Sequence, residues 1–391
     1  MCANLKPIMR KHIYFILSLL LSAQVSIAAT VTPAASLPDY YSSLSGQSVA
    51  GLYDAVHAVA KKGYSSLSYK ELWSAYSTTD LYPTDASHPD YVASKAGHIW
   101  DMYSDCNFVY RDDQCGNYRN ECDCYNREHS IPKSWFGGSE DKNTPGSDLF
   151  HIVPTDGYVN NVRSNYAFGE VSSASYTHDG CKFGTAKAVS VSKTMLGKGE
   201  VSKSCGSSVR VFEPADKYKG DFARGYLGAL LRWAKDYQAF TSDHGSKIFS
   251  GQYTAAGYWG LTEYGLALLL KWHRQDPVSR KEIDRNNGIQ ARQGNRNPFI
   301  DYPYLAEYIW GEHAGETVYM NQLMCTSDAD FVPGKSNGWR GGEPIMPEQA
   351  IDQITNDNAP VARKVFINGQ LYIIIGDCTY DVFGREIETA R

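Results

Sequence analysis

Apolar residues recur at helical spacing in two stretches of the second half of the chain. The first stripe consists of Phe222, Tyr226, Leu227, Leu230, Leu231 and Ala234, and the second of Leu261, Tyr264, Leu268, Leu269 and Trp272. Intervals of three and four residues place side chains on one helix face, so the pattern predicts two long helices. Asp276-Pro277 predicts the end of the second helix, because proline disfavours helical backbone in the preceding residue. Ser279 and Glu282 form a capping box, which predicts the start of a third helix.

The first half of the chain gives mixed signals. Apolar residues at helical spacing in residues 49–57 predict that residues 30–100 are mainly helical. Residues 101–127 are rich in Cys, Asp and Asn, which favours an irregular, cross-linked segment. Residues 128–200 carry short strand and turn signals. Together these patterns predict an α+β protein with a mainly helical scaffold.

The last part of the chain, residues 333–391, changes character. Residues 333–347 are rich in Gly and Pro and are interpreted as a linker. Asn368-Gly369 lies between the apolar runs 365–367 and 371–373, a pattern that favours a β-hairpin with a two-residue turn. Residues 377–385 contain a further strand-like piece. Residues 361–391 are too few for a robust core of their own, so they are expected to form a small β appendage.

The N-terminus has the features of a secretory signal peptide. Lys6, Arg10 and Lys11 precede an apolar run over residues 13–25, and the small residues Ser26 and Ala28 follow it. The run is shorter than the ~20 apolar residues of a membrane span, which argues against an N-terminal anchor. We therefore expect residues 1–28 to be removed from an exported protein, and no later segment is long and apolar enough to span a membrane.

The cysteines fit an oxidising compartment. The chain has nine, and removal of the leader takes away Cys2 and leaves eight. An even count in an exported chain favours disulfides, although the sequence does not give the pairing. A zinc site that includes Cys122 and Cys124 is the alternative, but their spacing lacks the two to four intervening residues of ordinary structural zinc sites.

Charge excludes a strongly basic nucleic-acid coat. The net charge of the chain is −5, and loss of the three cations of the leader lowers it to about −8. Residues 271–296 nevertheless hold seven cations and three anions. This positive stretch either follows a nucleic-acid backbone or forms a solvated helix face. The stretch contains Arg274, Arg280, Lys281, Arg285, Arg292 and Arg296. The chain also has 28 Tyr residues. One interpretation is that they stack on nucleic-acid bases, and the alternative is that most of them pack in the core.

The candidate chemistry lies between residues 127 and 166. Glu128, His129 and His151 fall within about 20 residues, and a carboxylate and an imidazole are suitable ligands for a divalent cation. A second imidazole that does not bind the metal can accept a proton from water near pH 7. In a strand, Glu128 and His129 point in different directions, which suits one residue at the metal and one at the water. The alternative is that Glu128 pairs with Arg127 and the histidines are ordinary polar residues.

Amide side chains surround Arg163 just downstream. An arginine can clamp a phosphate with two hydrogen bonds and stabilise developing charge, and a surface salt bridge is its alternative role. Asn160, Asn161 and Asn165 either hold the loop through hydrogen bonds or contact substrate.

Six blocks in this order resemble the bacterial endonuclease I family, a group of ββα-metal (His-Me finger) nucleases. The blocks lie at residues 99–104, 127–132, 148–165, 212–221, 272–278 and 294–301. The likeness covers residues 40–313. It implies a ββα-metal finger embedded in the helical scaffold, with a nuclease domain over residues 29–340.

The resemblance also implies a role for each matching residue. His129 is the general base, Glu128 binds a divalent ion, and Arg163 stabilises the scissile phosphate. His151 is assigned to the position at which the family's helix supplies its second metal ligand, where many relatives carry Asn. The ion is expected to be one Mg²⁺, with Mn²⁺ or Ca²⁺ as alternatives. Further contacts to substrate are assigned to Arg127, Asn160, Asn165, Arg274 and Arg296.

The expected activity is non-specific hydrolysis of DNA, RNA or both, leaving 5′-phosphate ends. Residues 341–391 combine the linker with a tail that resembles the sorting segments of proteins exported by the type IX system of Bacteroidetes. This predicts a periplasmic, extracellular or cell-surface location and contact with the export machinery. The alternatives are a metal-dependent phosphoesterase for small substrates and a non-catalytic protein that binds nucleic acid or glycans.

Overall fold

The structure, a computed structural model, describes residues 31–233, 240 and 242–341, together with the backbone of strands between 362 and 387. The contacts between Cα atoms divide the chain into the units Met1–Ile345 and Met346–Arg391. The predicted signal peptide, most of the predicted linker and the side chains of the C-terminal tail lie outside the described residues.

Helices dominate the first unit. They are α1 (Leu37–Tyr40), α2 (Val49–Lys61), α3 (Glu71–Thr79), α4 (Gly157–Arg163), α5 (Lys219–Trp233), α6 (Glu263–Gln275), α7 (Arg280–Gln293), α8 (Pro298–Asp301) and α9 (Leu305–Ile309). Its strands are β1 (Tyr125–His129), β2 (Ile152–Asp156), β3 (Val171–His178), β4 (Cys181–Ala186), β5 (Val189–Val191), β6 (Val201–Lys203) and β7 (Arg210–Glu213). The prediction of an α+β fold is confirmed.

The two predicted long helices form the centre of the core. Almost every side chain of α5 is buried, and α5 packs against α6, whose apolar side chains are also buried. The side chain of Thr262 caps α6 at the backbone N–H of Gly265. Ser279 and Glu282 form the predicted capping box of α7, and Gly294 ends α7 with a positive φ of 86°. The predicted break after α6 is confirmed as well.

The strands form small antiparallel sheets. β1 pairs with β2, β3-β4-β7 make a three-stranded sheet, and β5 pairs with β6. In the second unit, β8 (Ala362–Ile367), β9 (Gln370–Ile375), β10 (Cys378–Tyr380) and β11 (Glu386–Ile387) form an antiparallel sheet. The strands of the predicted hairpin are confirmed, and their pairing brings Ile367 opposite Gln370. The turn residues Asn368 and Gly369 lie outside the described residues.

Two expectations about local structure are wrong in part. Helix ends at Thr79, and residues 80–100 contain turns and isolated bridges instead. Pro83 and Pro89 lack the N–H that a helix needs, and Asp85 bonds the backbone and hydroxyl of Ser87 in a local turn. At the other end of the irregular segment, β1 already begins at Tyr125.

Two disulfides link the segment that precedes β1. They join Cys106 to Cys122 and Cys115 to Cys124, which confirms the expectation of a cross-linked segment. The alternative zinc site at Cys122 and Cys124 is therefore wrong, because both sulfurs are used in disulfides. Pairing is not complete among the described cysteines, since Cys181, Cys205 and Cys325 are free thiols.

Buried ion pairs tie α7 to the rest of the first unit. Arg285 pairs with the fully buried Asp80 and also donates to the carbonyl oxygens of Leu149 and Ile152. Glu282 accepts two hydrogen bonds from Arg224 of α5, at 2.6 and 2.7 Å. These contacts orient α7 against the loop that leads into β2.

Replacement of Asp80 tests how much this orientation matters. We expect Asp80→Ala to lower the free energy of unfolding by about 3–5 kcal/mol, because it leaves the Arg285 guanidinium buried without its counter-charge. Urea unfolding followed by circular dichroism measures the change. The matched control is Asp284→Ala, which removes a partly exposed carboxylate paired with Arg280 and His88 and should cost less than about 1 kcal/mol. Equal losses in the two variants would contradict the structural role of the Asp80 pair.

Candidate active site

β1 presents Glu128 and His129 to opposite sides. The two residues pair with Val153 and Ile152 of β2, and side chains alternate along a strand. Glu128 contacts Tyr103 and Arg163, whereas the His129 ring lies near the rings of Tyr69 and Phe136. The predicted divergence of the two side chains is present.

Glu128 is held in a buried network. Its Oε1 accepts hydrogen bonds from the Tyr103 hydroxyl and from Nη1 of Arg163, each at 2.8 Å. Burial raises the pKa of the Glu128 carboxyl above its ordinary value, while the positive charge of Arg163 and the bond from Tyr103 oppose the rise. Both bonds fall on Oε1, so the second oxygen of the carboxylate keeps its capacity as an acceptor. The alternative pairing of Glu128 with Arg127 is wrong, since the partner is Arg163.

Arg163 connects three elements. Besides Glu128, it donates to the carbonyl oxygens of His129 and Ser130 and to the hydroxyl of Tyr226 in α5. Only 1% of its surface is exposed. These contacts fix the end of α4 to β1, and they occupy much of the guanidinium that was expected to face a phosphate.

His129 has a defined tautomer. Its Nε2 lies 3.2 Å from the carbonyl oxygen of Gly146, which can only accept, so Nε2 carries the proton and Nδ1 keeps a lone pair. Burial lowers the pKa of His129 well below its ordinary value, and the neighbouring His151, Lys133 and Arg127 add to the effect. The neutral imidazole is therefore the form present at neutral pH. A side chain at position 146 would collide with the backbone oxygen of Ser139, so glycine is required there.

His151 does not lie on the helix. It precedes β2, is 1% exposed, and donates from Nε2 to the carbonyl oxygen of Pro145 at 2.6 Å. The expectation that the helix of the motif carries this residue is wrong, because α4 begins six residues later and carries Asn160 instead. The His151 and His129 rings are 6.1 Å apart, and the His151 side chain is absent from the lining of the cleft described next.

A cleft of about 460 Å³ opens at the junction of β1 and α4. Asn160 and Arg163 are one helical turn apart and share a face of α4, so both reach this cleft. The lining includes Tyr69, Asn126, Arg127, Glu128, His129, Pro132, Lys133, Ser134, Asn160, Arg163, Ser164 and Asn165. The structure thus brings together Glu128, His129, Arg163, Arg127, Asn160 and Asn165 from the predicted set.

α4 is firmly positioned below this cleft. The Asp156 carboxylate caps its N-terminus by accepting from the backbone N–H groups of Tyr158 and Val159. Gly157 packs so tightly on Cys115 that a Cβ would collide with its sulfur. The disulfide-linked segment therefore supports the helix that carries Asn160.

Arg127 and Lys133 place positive charge at the cleft. The guanidinium of Arg127 lies 3.5 Å from the ring centroid of Tyr69 and 4.4 Å from that of Trp73. Lys133 pairs with Glu140. Asn165 lines the same cleft, and its amide approaches the Ser134 hydroxyl at 3.4 Å.

Arg274 and Arg296 are not brought to this cleft. Arg274 pairs with Glu307, and the buried Arg296 pairs with Asp301 through bonds of 2.6 and 2.7 Å. Most cations of the 271–296 stretch likewise bind carboxylates of the protein, as Lys281 does with Asp221. These contacts favour a structural role for the stretch over either role that was expected from its charge.

One group of potential metal ligands lies outside this cleft. Ligand atoms of Cys106, Cys122, Asp156 and His178 lie within 4.8 Å of one another among the described residues. The two sulfurs form a disulfide and so do not provide thiolates.

Sequence reasoning gave no role to several residues that shape the site. Tyr103 lies in the 99–104 block that carried the family resemblance, and that block was the available signal. Tyr69 and Gly146 gave no comparable signal, and Tyr226 was predicted only as part of an apolar helix stripe. The contacts of all three join segments that are distant in sequence.

A model of the Endonuclease I family matches residues 52–304 of this chain. The chain belongs to the endonuclease I family. An extracellular ribonuclease of Bacillus amyloliquefaciens is 30% identical over 288 residues, which cover 72% of this chain and 82% of the relative. An extracellular ribonuclease of Bacillus subtilis (strain 168) is 29% identical over 291 residues, which cover 73% and 83%. Membership of this endonuclease family makes the protein an enzyme that hydrolyses phosphodiester bonds of nucleic acid.

The described helices do not include one with the length and apolar character that a bilayer span requires.

The Glu128–Arg163 pair of this endonuclease I member can be tested by a double-mutant cycle. We expect Arg163→Met to destabilise the fold by about 3–5 kcal/mol, because a buried carboxylate loses its counter-charge. Glu128→Gln should also destabilise, and the double variant should lose at least about 1 kcal/mol less than the sum. Urea unfolding measures each free energy.

The matched cycle uses Lys203→Met and Glu263→Gln, whose partly exposed pair should show a coupling below about 1 kcal/mol. A coupling for Glu128 and Arg163 no larger than this would show that the buried pair does not organise the site.

Proposed function

We propose that this protein is an exported, metal-dependent nuclease that cuts DNA, RNA or both in the cleft between β1 and α4. In this proposal β1, β2 and α4 form the ββα-metal finger. The observation that carries it is the convergence of Glu128, His129 and Asn160 on a single cleft within a member of the endonuclease I family. The extracellular ribonucleases among its relatives support export and nucleic acid as substrate.

His129 acts as the general base. With the proton held on Nε2 by the Gly146 carbonyl, Nδ1 accepts a proton from water. The water oxygen attacks the phosphorus and the bond to the 3′ oxygen breaks. The leaving 3′ oxygen takes a proton from solvent water, so the products carry a 5′-phosphate and a 3′-hydroxyl. The lowered pKa of His129 keeps Nδ1 unprotonated at neutral pH.

Glu128 and Asn160 are the residues that would hold one divalent ion, with Mg²⁺ as the first choice and Mn²⁺ or Ca²⁺ as alternatives. The residues fit such an ion, because a carboxylate and an amide oxygen are hard donors and both side chains line the cleft. When bound, the ion would supply positive charge that offsets the charge on the phosphate and on the leaving oxygen. The assignment of His151 as a ligand gives way to Asn160, since His151 is buried beside the Pro145 carbonyl.

Arg163 serves as a positioning residue. Its bonds to Glu128 and to the two carbonyl oxygens of β1 set the direction of the carboxylate. Arg127, Lys133 and Asn165 remain at the cleft to contact the phosphodiester backbone.

The proposal of export is based on the two terminal segments of the chain. We propose that residues 1–28 are removed as a signal peptide and that residues 341–391 act as a linker and sorting tail. The disulfides before β1 are consistent with an oxidising destination.

The role of His129 as the general base is tested with the mature protein. Incubation with Mg²⁺ should degrade plasmid DNA or RNA to fragments with 5′-phosphate ends, and EDTA should stop the reaction. His129→Ala should reduce kcat/KM by about 100-fold or more, because general-base catalysis typically supplies about 10²–10⁴-fold.

The matched control is His88→Ala, which removes a half-buried histidine that pairs with Asp284. Full activity in His129→Ala would exclude the mechanism. Activity only on small phosphoesters would identify the protein as a phosphoesterase, and binding without turnover would identify a binding protein.

The metal ligands are tested by isothermal titration of the protein with Mg²⁺. Glu128→Gln and Asn160→Ala should each weaken the affinity by about 10-fold or more, since each removes an oxygen donor. His151→Gln should leave the Kd within about 3-fold, because His151 does not line the cleft and its Nε2 is bonded to the Pro145 carbonyl. A stronger effect in His151→Gln than in Asn160→Ala would restore the histidine as the ligand.

A further inference from the structure

Four partly exposed residues form a cation–aromatic cluster beside the cleft. The Tyr166 ring lies 4.8 Å from the Phe183 ring and 4.7 Å from the His244 ring, measured between centroids. The guanidinium carbon of Arg210 lies 4.4 Å from the centroid of Phe183. Tyr166, Phe183, His244 and Arg210 are called the Tyr166 platform below.

The platform continues the wall of the cleft. Ser164 and Asn165 line the cleft, and Tyr166 is the next residue along the chain. The backbone N–H of Tyr166 donates to the carbonyl oxygen of Arg163, and the indole N–H of Trp135 donates to the carbonyl oxygen of Asn165 at 3.1 Å. These bonds fix Tyr166 relative to Arg163, and therefore relative to Glu128.

The platform carries positive charge that the protein does not neutralise with a carboxylate. Within residues 31–233 and 242–341, Arg210 has a hydrogen bond to the Ser175 hydroxyl but no ion pair, and its buried Nε has no partner. This differs from Arg274, Lys281 and Arg296, which all bind carboxylates. An unneutralised arginine beside the cleft is suited to a phosphate.

His244 contributes a partly buried imidazole ring to the platform. Burial lowers the pKa of His244, and the positive charges of Lys247 and Arg163 lower it further, against the opposing effect of Asp243. Burial therefore favours the neutral imidazole, which adds a third ring to the platform.

We propose that the Tyr166 platform binds unpaired bases of the substrate strand next to the scissile phosphate, with Arg210 on the neighbouring backbone. This inference rests on the proposed nuclease function and specifies its substrate as single-stranded nucleic acid, or the unpaired region of a longer one. Base stacking on aromatic rings tolerates any sequence, because every base has a π-face. Bases inside a duplex are already stacked on one another and are not available to the platform.

The first experiment measures binding apart from cleavage. Each protein carries His129→Ala to prevent turnover, and fluorescence anisotropy follows labelled oligo(rU), oligo(dT) and duplex DNA of about 12 nucleotides. Tyr166→Leu should raise the Kd for the single strands by about 5- to 150-fold, the range for loss of one stacked base. It should leave the duplex Kd within about 2-fold.

The matched control is Tyr40→Leu. Tyr40 is also a partly exposed tyrosine with an aromatic neighbour, Tyr41 at 4.9 Å, and a cation, the Lys62 ammonium at 4.2 Å from its ring. It does not line the cleft. Tyr40→Leu should leave all three Kd values unchanged.

The second experiment measures cleavage with His129 intact. Tyr166→Leu and Arg210→Gln should raise KM for the single strand, and the loss should fall on KM rather than on kcat. If Tyr166→Leu fails to fold, Arg210→Gln replaces it in the binding experiment. A rise in the Kd of Arg210→Gln for the single strands of about 3-fold or more supports the platform.

The outcomes separate the two proposals. Loss of affinity for both single strands, or for the RNA strand alone, supports the platform and identifies the source of the unpaired bases. Equal loss on the duplex, or no difference between Tyr166→Leu and Tyr40→Leu, overturns it while leaving the nuclease function in place. Failure of the protein with intact His129 to cut any nucleic acid overturns the proposed function itself.

Discussion

The buried ion pair between Arg163 and Glu128 is the contact on which the rest of the site depends. Removing two charges from water carries a large desolvation cost, and their attraction in the interior offsets that cost only if the geometry is good. Here the geometry is set by further bonds, from Arg163 to the backbone of β1 and from Tyr103 to Glu128. The pair thus contributes more to the positioning of the site than to net stability. It determines how α4 lies on β1 and where the Glu128 carboxylate is held.

Much of the helical framework can be predicted from the sequence. The stripes in α5 and α6 and the capping box of α7 are local patterns, and local patterns depend on residues within one or two helical turns. The Glu-His pair in β1 is also local, because the alternation of a strand is enough to send the two side chains apart. The family resemblance added the order of the blocks and the roles attached to them.

The rest depends on contacts between distant segments. From the sequence His151 was assigned as a metal ligand and Asn160 as a substrate contact. The structure reverses their order of merit as ligands, because His151 precedes β2 and Asn160 lies on α4 at the cleft. The cations of residues 271–296 suggested a nucleic-acid surface, yet Arg285 and Arg296 reach carboxylates at positions 80 and 301. Charge counts along a chain do not show which cations are neutralised inside the protein. Among the described residues, Arg127 and Arg210 lie near aromatic rings rather than beside a carboxylate.

The alternation of β1 has a consequence for which insertions and deletions the chain can accept. A shift of one residue in the pairing of β1 with β2 would exchange the faces of Glu128 and His129, so the carboxylate would turn toward Tyr69 and the imidazole toward Arg163. A single inserted or deleted residue between the Cys115–Cys124 disulfide and Ser130 would therefore exchange the positions of the carboxylate and the imidazole without removing either side chain. The exposed glycines at positions 137 and 138 have no heavy atom near the place of a Cβ, and changes of length there leave the register of β1 intact. Variation in length among related nucleases should therefore concentrate in that loop and avoid the five residues of the strand.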